Sequence, residues 1–137
     1  MAIRPVLRLG NPLLLQKSRP VTDFNTPELE QLIDDMLDTM KAENGAGLAA
    51  PQIGVLKKII YLHVDRPWLI INPAMERVSE TTMELWDDCM SFPDLLVKVQ
   101  RHRLCTIRFR DRTSTSAAAN RRSNTTGSPA PIPTRVT

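Results

Sequence analysis

Between residues 26 and 44 the chain reads TPELEQLIDDMLDTMKAEN, with Leu29, Leu32, Ile33, Met36, Leu37 and Met40 recurring every three or four positions. That spacing predicts a helix with one apolar stripe turned to a core. Thr26 is placed to cap its start, Pro27 suits the first helical position, and Glu28 and Glu30 lie near the positive end of the macrodipole. Gly45 is expected to end the helix in a left-handed conformation. Beyond it the period shortens. KIIYLHV (58–64) and WLIINP (68–73) are apolar runs rich in β-branched and aromatic residues, and RVSETTMELW (77–86) is a more mixed candidate strand. LLVKVQ (95–100) and LCTIRFRD (104–111) alternate, with Cys105, Ile107 and Phe109 on one side and Thr106, Arg108 and Arg110 on the other. One helix followed by many strands predicts an α+β fold with a largely antiparallel sheet.

After Asp111 the pattern stops. Residues 112–137 hold no leucine, aromatic residue or acid, and they are dense in Ser, Thr, Pro and Arg. The expectation is a folded domain over 1–111 and a disordered tail over 112–137. This division also decides what the pI near 9.2 means. Residues 1–111 carry 14 Lys and Arg against 15 Asp and Glu, whereas residues 112–137 carry four arginines. The basicity is the tail's. With no aromatic residue there, sequence-specific reading of nucleic acid is not expected, and weak attraction to ribosomal RNA is the most such a tail offers.

Two cysteines, Cys89 and Cys105, are too few for a disulfide framework and suit a reducing compartment. The one apolar run near the start, PLLL, is too short for a secretory signal, and no segment is long enough to span a bilayer. A cytoplasmic protein with no membrane partner is the expectation.

Two stretches carry candidate chemistry. In GAGLAAPQ (45–52), Gly45 and Gly47 allow close backbone approach, Leu48 and the two alanines pack beneath a cleft, and Gln52 presents an amide donor to a carbonyl oxygen. The same octapeptide also reads simply as a helix stop and a turn. In WDDCMSFPDLL, Cys89 follows two carboxylates that disfavour an unassisted thiolate nucleophile, whereas a divalent metal would reverse that balance. A metal ligand, a nucleophile and a small buried hydrophobe all remain open for Cys89 on these residues alone.

Together the two stretches resemble the peptide deformylase family. Gly45 to Gln52 matches its Gly-x-Gly-φ-Ala-Ala-x-Gln motif at every fixed position, and Asp87-Asp88-Cys89-Met90-Ser91 is similar to its Glu-Gly-Cys-Leu-Ser motif. VLRLGNPLLLQKSRPV (6–21) looks like the arm that leads into the family's first helix. The resemblance spans about residues 4–111. It implies a peptide-deformylase-like fold and a metal-dependent hydrolysis that removes the formyl group from the N-terminal methionine of nascent polypeptides. It also implies Fe(II) or another divalent metal on Cys89, and oxyanion donors at Gln52 and the Met90 amide. Gly45, Gly47 and Leu48 are the implied substrate-binding residues, an N-formylmethionyl peptide the partner, and the strand near 95–99 a place for it to pair by β-addition.

The chain departs from that pattern at one point. The family's remaining metal ligands and its general base come from a His-Glu-x-x-His helix, and no such motif occurs in these 137 residues. The two histidines are His63, in an apolar strand where a backbone carbonyl is expected to satisfy its ring, and His102, which should face away from Cys105. Pro129, Pro131 and Pro133 oppose a helix where it would belong. The sequence therefore reads as a truncated or frameshifted family member without its core C-terminal helix and without activity. The alternatives are a non-catalytic peptide- or ribosome-binding module and a non-functional remnant.

Overall fold

The structure, a computed structural model, describes residues 2–63 and 66–122. The predicted helix is α1 (Pro27–Ala42), and its cap is as expected: the Thr26 hydroxyl accepts from the Leu29 amide at 3.2 Å. Its end differs from the expectation. Asn44, not Gly45, takes the positive φ of 53°. The Gly45 amide reaches back to the Met40 carbonyl at 3.0 Å and the Asn44 amide to Lys41 at 3.2 Å, which closes the last turn. Asparagine tolerates the left-handed region through its short polar side chain, and that frees Gly45 for another purpose.

Strands β1 (Gly47–Ala49), β2 (Ile59–His63), β3 (Pro67–Val78), β6 (Leu104–Arg110) and β7 (Ser116–Arg122) form one antiparallel sheet in the order β1-β2-β3-β6-β7. The intervening β4 (Thr82–Asp87) and β5 (Val97–His102) make a separate antiparallel pair. The fold is α+β, and α1 is the α-helix among the described residues. No helix among them is long and apolar enough to cross a membrane.

Strand β2 explains the unbroken apolar run that marked it. Ile59 and Tyr61 pack with Leu29, Ile33, Met36 and Met40 of α1, while Ile60 and Leu62 pack with Ile70, Cys105, Ile107 and Phe109 on the opposite face. A strand buried on both sides has no polar positions to alternate. Each aliphatic side chain so buried contributes about 1.5–3 kcal/mol. The expected strand at 77–86 is in fact two pieces. Residues 77–78 finish β3, and β4 begins only at Thr82. Between them the Ser79 hydroxyl donates to the Thr81 carbonyl at 2.8 Å and accepts from the Leu104 amide.

The expected domain boundary after Asp111 falls inside a hairpin. The Asp111 carboxylate accepts from the Thr113 and Thr115 amides at 2.9 and 3.0 Å, and the chain returns as β7 beside β6 over Leu104↔Arg122 to Arg110↔Ser116. The hydrogen bond from the Thr113 hydroxyl, with those from the two amides, holds the Asp111 carboxyl below its ordinary value. Where the sequence led us to expect tail from residue 112, Ser116–Arg122 form a strand. An edge strand of Ser, Ala and Asn is held by the ladder its neighbour offers, not by an apolar face, so it carries no alternation to read. Val64 and the remainder of the expected tail, residues 123–137, lie outside the described residues.

Candidate active site

Three segments meet around a cavity of about 430 Å³. The C-terminal turn of α1 and the start of β1 bring Gly45 and Gly47, the turn after β1 brings Gln52, and the loop after β4 brings Cys89 and Met90. Arg8 lines the cavity from the N-terminal arm. Of the residues singled out in the sequence, Leu48 is the one placed elsewhere. Its side chain is 1% exposed and packs in the core on the α1 side, because β1 alternates and turns Leu48 away from the cavity.

Gln52 organises this wall. Its Oε1 accepts from the Ala49 amide at 3.0 Å, while Nε2 donates to Cys89 Sγ at 3.2 Å and to Ser91 Oγ at 3.1 Å. The Ser91 amide adds a longer bond to Cys89 Sγ at 3.5 Å. One side-chain amide thus joins both motifs, and both of its hydrogens are engaged. For Gln52 to serve an incoming carbonyl oxygen, one of those bonds must be exchanged. Met90 also lines the cavity, and its amide donates to no acceptor among the described residues. Sequence reading missed Ser91. It is buried, and its hydroxyl became visible as a partner only when the two loops were brought together.

Gly45 and Met90 fit each other. A Cβ on Gly45 would fall 2.1 Å from the Met90 methyl, and one on Gly47 would fall 2.7 Å from a Leu62 methyl. At either position a side chain would press on the tip of a flexible neighbour, and Gly45 is not the residue in the left-handed region. Asp87 pairs with Arg101 across the β4–β5 hairpin at 3.5 Å. Asp88 lines the cavity beside Cys89, where the similar family motif has glycine.

The residues present do not fit a catalytic metal. Among the described residues there is no group of three or more His, Cys, Asp or Glu side chains placed to hold one. The two histidines end different strands: His63 is exposed at the end of β2, and His102 ends β5. The carbonyl bond expected for His63 belongs instead to His102, whose Nδ1 lies 2.7 Å from the Ser79 carbonyl oxygen. A single thiolate does not supply the three protein ligands that catalytic sites of this kind use.

The sequence matches the family described as polypeptide deformylase over residues 3–122. It is 44% identical over 111 residues to peptide deformylase 1 of Nitrosomonas europaea, covering 73% of this chain and 63% of that one. It is 39% identical over 113 residues to the peptide deformylase of Heliobacterium modesticaldum, covering 82% and 74%. The fold is similar to a Legionella pneumophila peptide deformylase with a TM-score of 0.85 at 31% identity, over 89% of this chain and 73% of that one. A Thermotoga maritima peptide deformylase gives a TM-score of 0.85 at 25% identity, over 90% and 84%. The chain spans 63% of the length of the first two curated relatives it matches.

Proposed function

The chain belongs to the polypeptide deformylase family, and we propose that its cavity receives the formylated N-terminus of a methionyl peptide. The observation that carries this reading is the convergence of Gln52 Nε2, Cys89 Sγ and Ser91 Oγ within 3.2 Å, in a cavity that Met90 also lines. The formyl oxygen takes a hydrogen bond from the Met90 amide and one from Gln52 in place of its bond to Cys89 or Ser91. The methionine side chain enters the cavity beside the Met90 side chain, which itself covers Gly45. Cys89 stands at the position of the family's thiolate metal ligand. The family resemblance implies a divalent metal there, Fe(II) or another, but the His-Glu-x-x-His motif that would supply its other ligands and the general base does not occur in these 137 residues. A polypeptide of this sequence therefore binds the formylated peptide and does not hydrolyse it.

Calorimetric titration with a formyl-Met-Ala-Ser peptide tests the first half. The expected result is measurable binding that is weakened about tenfold or more in Gln52→Glu, which keeps the acceptor for Ala49 and loses both donors. Equal affinity for the formylated and the unformylated, acetylated peptide would remove the formyl group from the reading. Incubating the same chain with Fe(II) or Ni(II) and following release of formate tests the second half. Sustained turnover by the purified polypeptide would overturn it.

A further inference from the structure

We infer that the Arg4–Asp35 ion pair positions Gln52 and Cys89 through residues 2–9, which act as a strap between α1 and the two motifs. The geometry begins on the helix. Asp35 and Thr39 are one turn apart on one face, about 6 Å along the axis. They accept from the Ala2 amide at 2.9 Å and the Arg4 amide at 2.9 Å. Two residues of extended chain advance about 6.6 Å, so alternate strap amides match successive turns of α1. Pro5 favours that extended form at Arg4. The Arg4 side chain completes the anchor, with Nε 2.7 Å and a terminal nitrogen 2.6 Å from Asp35 Oδ2. Gln31 donates to Asp35 Oδ1 at 2.8 Å, so the carboxylate is engaged on both oxygens although its side chain is only 3% exposed.

At its other end the strap repeats the two-residue spacing on the site itself. The Leu7 amide donates to the Gln52 carbonyl at 2.7 Å, and the Leu9 amide donates to the Ser91 carbonyl at 2.7 Å. Gln52 and Ser91 are also joined side chain to side chain, at 3.1 Å. The result is a closed ring of hydrogen bonds, strap to Gln52 to Ser91 and back to strap, with Cys89 held inside it by Gln52 Nε2. Arg8, between the two donors, reaches the cavity. Gln52 lies in the turn after β1 of the five-stranded sheet and Cys89 and Ser91 in the loop between the two strands of the separate β4–β5 pair, so the strap fixes a spacing that neither sheet fixes alone. Its bearing on peptide recognition rests on the reading of the cavity given above, whereas the ring does not.

The test reads the Cys89 thiol directly. In the full chain carrying Cys105→Ser, the rate of iodoacetamide alkylation reports how closely Gln52 and Ser91 hold the half-buried Cys89 thiol. Arg4→Ala is expected to raise that rate about tenfold, because a charge-assisted anchor is lost. Arg4→Lys keeps the charge and should stay within about threefold of the parent. Ile33→Val, a core change on α1 that leaves Asp35 intact, serves as the control for general destabilisation. If Arg4→Ala alkylates no faster than Ile33→Val, the positioning role is overturned. Should Arg4→Ala fail to fold, Leu9→Pro deletes the donor to Ser91 and reads the same ring: faster alkylation supports it, an unchanged rate overturns it. Failure of formyl-peptide binding in the parent counts against the proposed function and leaves this measurement intact.

Discussion

The cavity joins two regions built to different standards. On one side α1 and β2 enclose Met36, Ile33 and Met40, which are 0, 1 and 2% exposed. On the other, the β4–β5 hairpin stands apart from the main sheet and leaves Trp86 at 64%, Leu95 at 50% and Leu96 at 66% exposed. Of its cross-strand ion pairs, Lys98–Glu84 at 2.9 Å is of the solvated kind that contributes about 0–1 kcal/mol, and Arg101–Asp87 at 3.5 Å is long. A two-stranded hairpin is at best marginal alone in water. Gln52 is delivered by the enclosed region, Cys89 by the loop that leaves the hairpin. The Gln52–Cys89 contact is therefore a seam between a firm half and a compliant half, and positioning across it has to come from somewhere else, which is what the strap supplies.

The largest expected effect lies on the firm side. Met36→Ala empties a fully enclosed position and should destabilise the chain by about 2–5 kcal/mol in urea unfolding. A loss below about 1 kcal/mol would mean that the α1 face relaxes into the space, and the contrast with the hairpin would disappear. A smaller effect sharpens the same contrast through pH. Burial pushes the Asp35 carboxyl up, but hydrogen bonds from Gln31, Arg4 and the Ala2 amide, together with the charge of Arg4, outweigh it, so its value lies below the ordinary 3.8. A depressed carboxylate contributes stability that is fully present above its unfolded value and is lost as pH falls through the folded one. Unfolding free energy of the parent should hold steady down to about pH 4 and then fall. In Asp35→Asn that component of the acid slope should be absent, so the gap between parent and variant narrows on acidification. A gap that is constant from pH 6 to pH 3 would show that the anchor does not depend on the charge of Asp35.

What the sequence made legible follows the same division. The α1 stripe, its cap and both motifs could be read because each is a local pattern: a period of three to four, a capping threonine before a proline, glycines at fixed spacing. Whatever depended on one segment meeting another stayed hidden. Gly45 was legible as a glycine that matters, but its reason is the Met90 side chain 45 residues on, and the left-handed position beside it went to Asn44. Asn72, with a positive φ of 52°, marks the shift of register in β3, and its side chain holds both the amide and the carbonyl of Val21 at 2.7 and 2.9 Å. Nothing in WLIINP announces that. β7 escaped notice because its hydrogen bonds belong to β6. Cys89 could be singled out from its motif, yet its hydrogen bond from Gln52 and its nearness to Ser91 are a fact of three dimensions.

The smallest expected effect is on the compliant side, and it concerns the largest side chain there. Trp86→Ala removes an indole that is mostly in water already, so little apolar area returns to solvent on unfolding and the change should stay within about 0.5 kcal/mol. Asp87 and the Arg101 pair next to it are unaffected by the substitution, and Cys89 alkylation should keep the parent rate. The measurement is informative because residue type and burial disagree here: a tryptophan lost from an enclosed site costs about 3–5 kcal/mol. A cost of that size at Trp86, especially one that varied with protein concentration, would mean the hairpin face is covered in solution by a second copy. The two regions would then differ in what encloses them, a core within one chain against a surface between two, and no longer in how well they are enclosed.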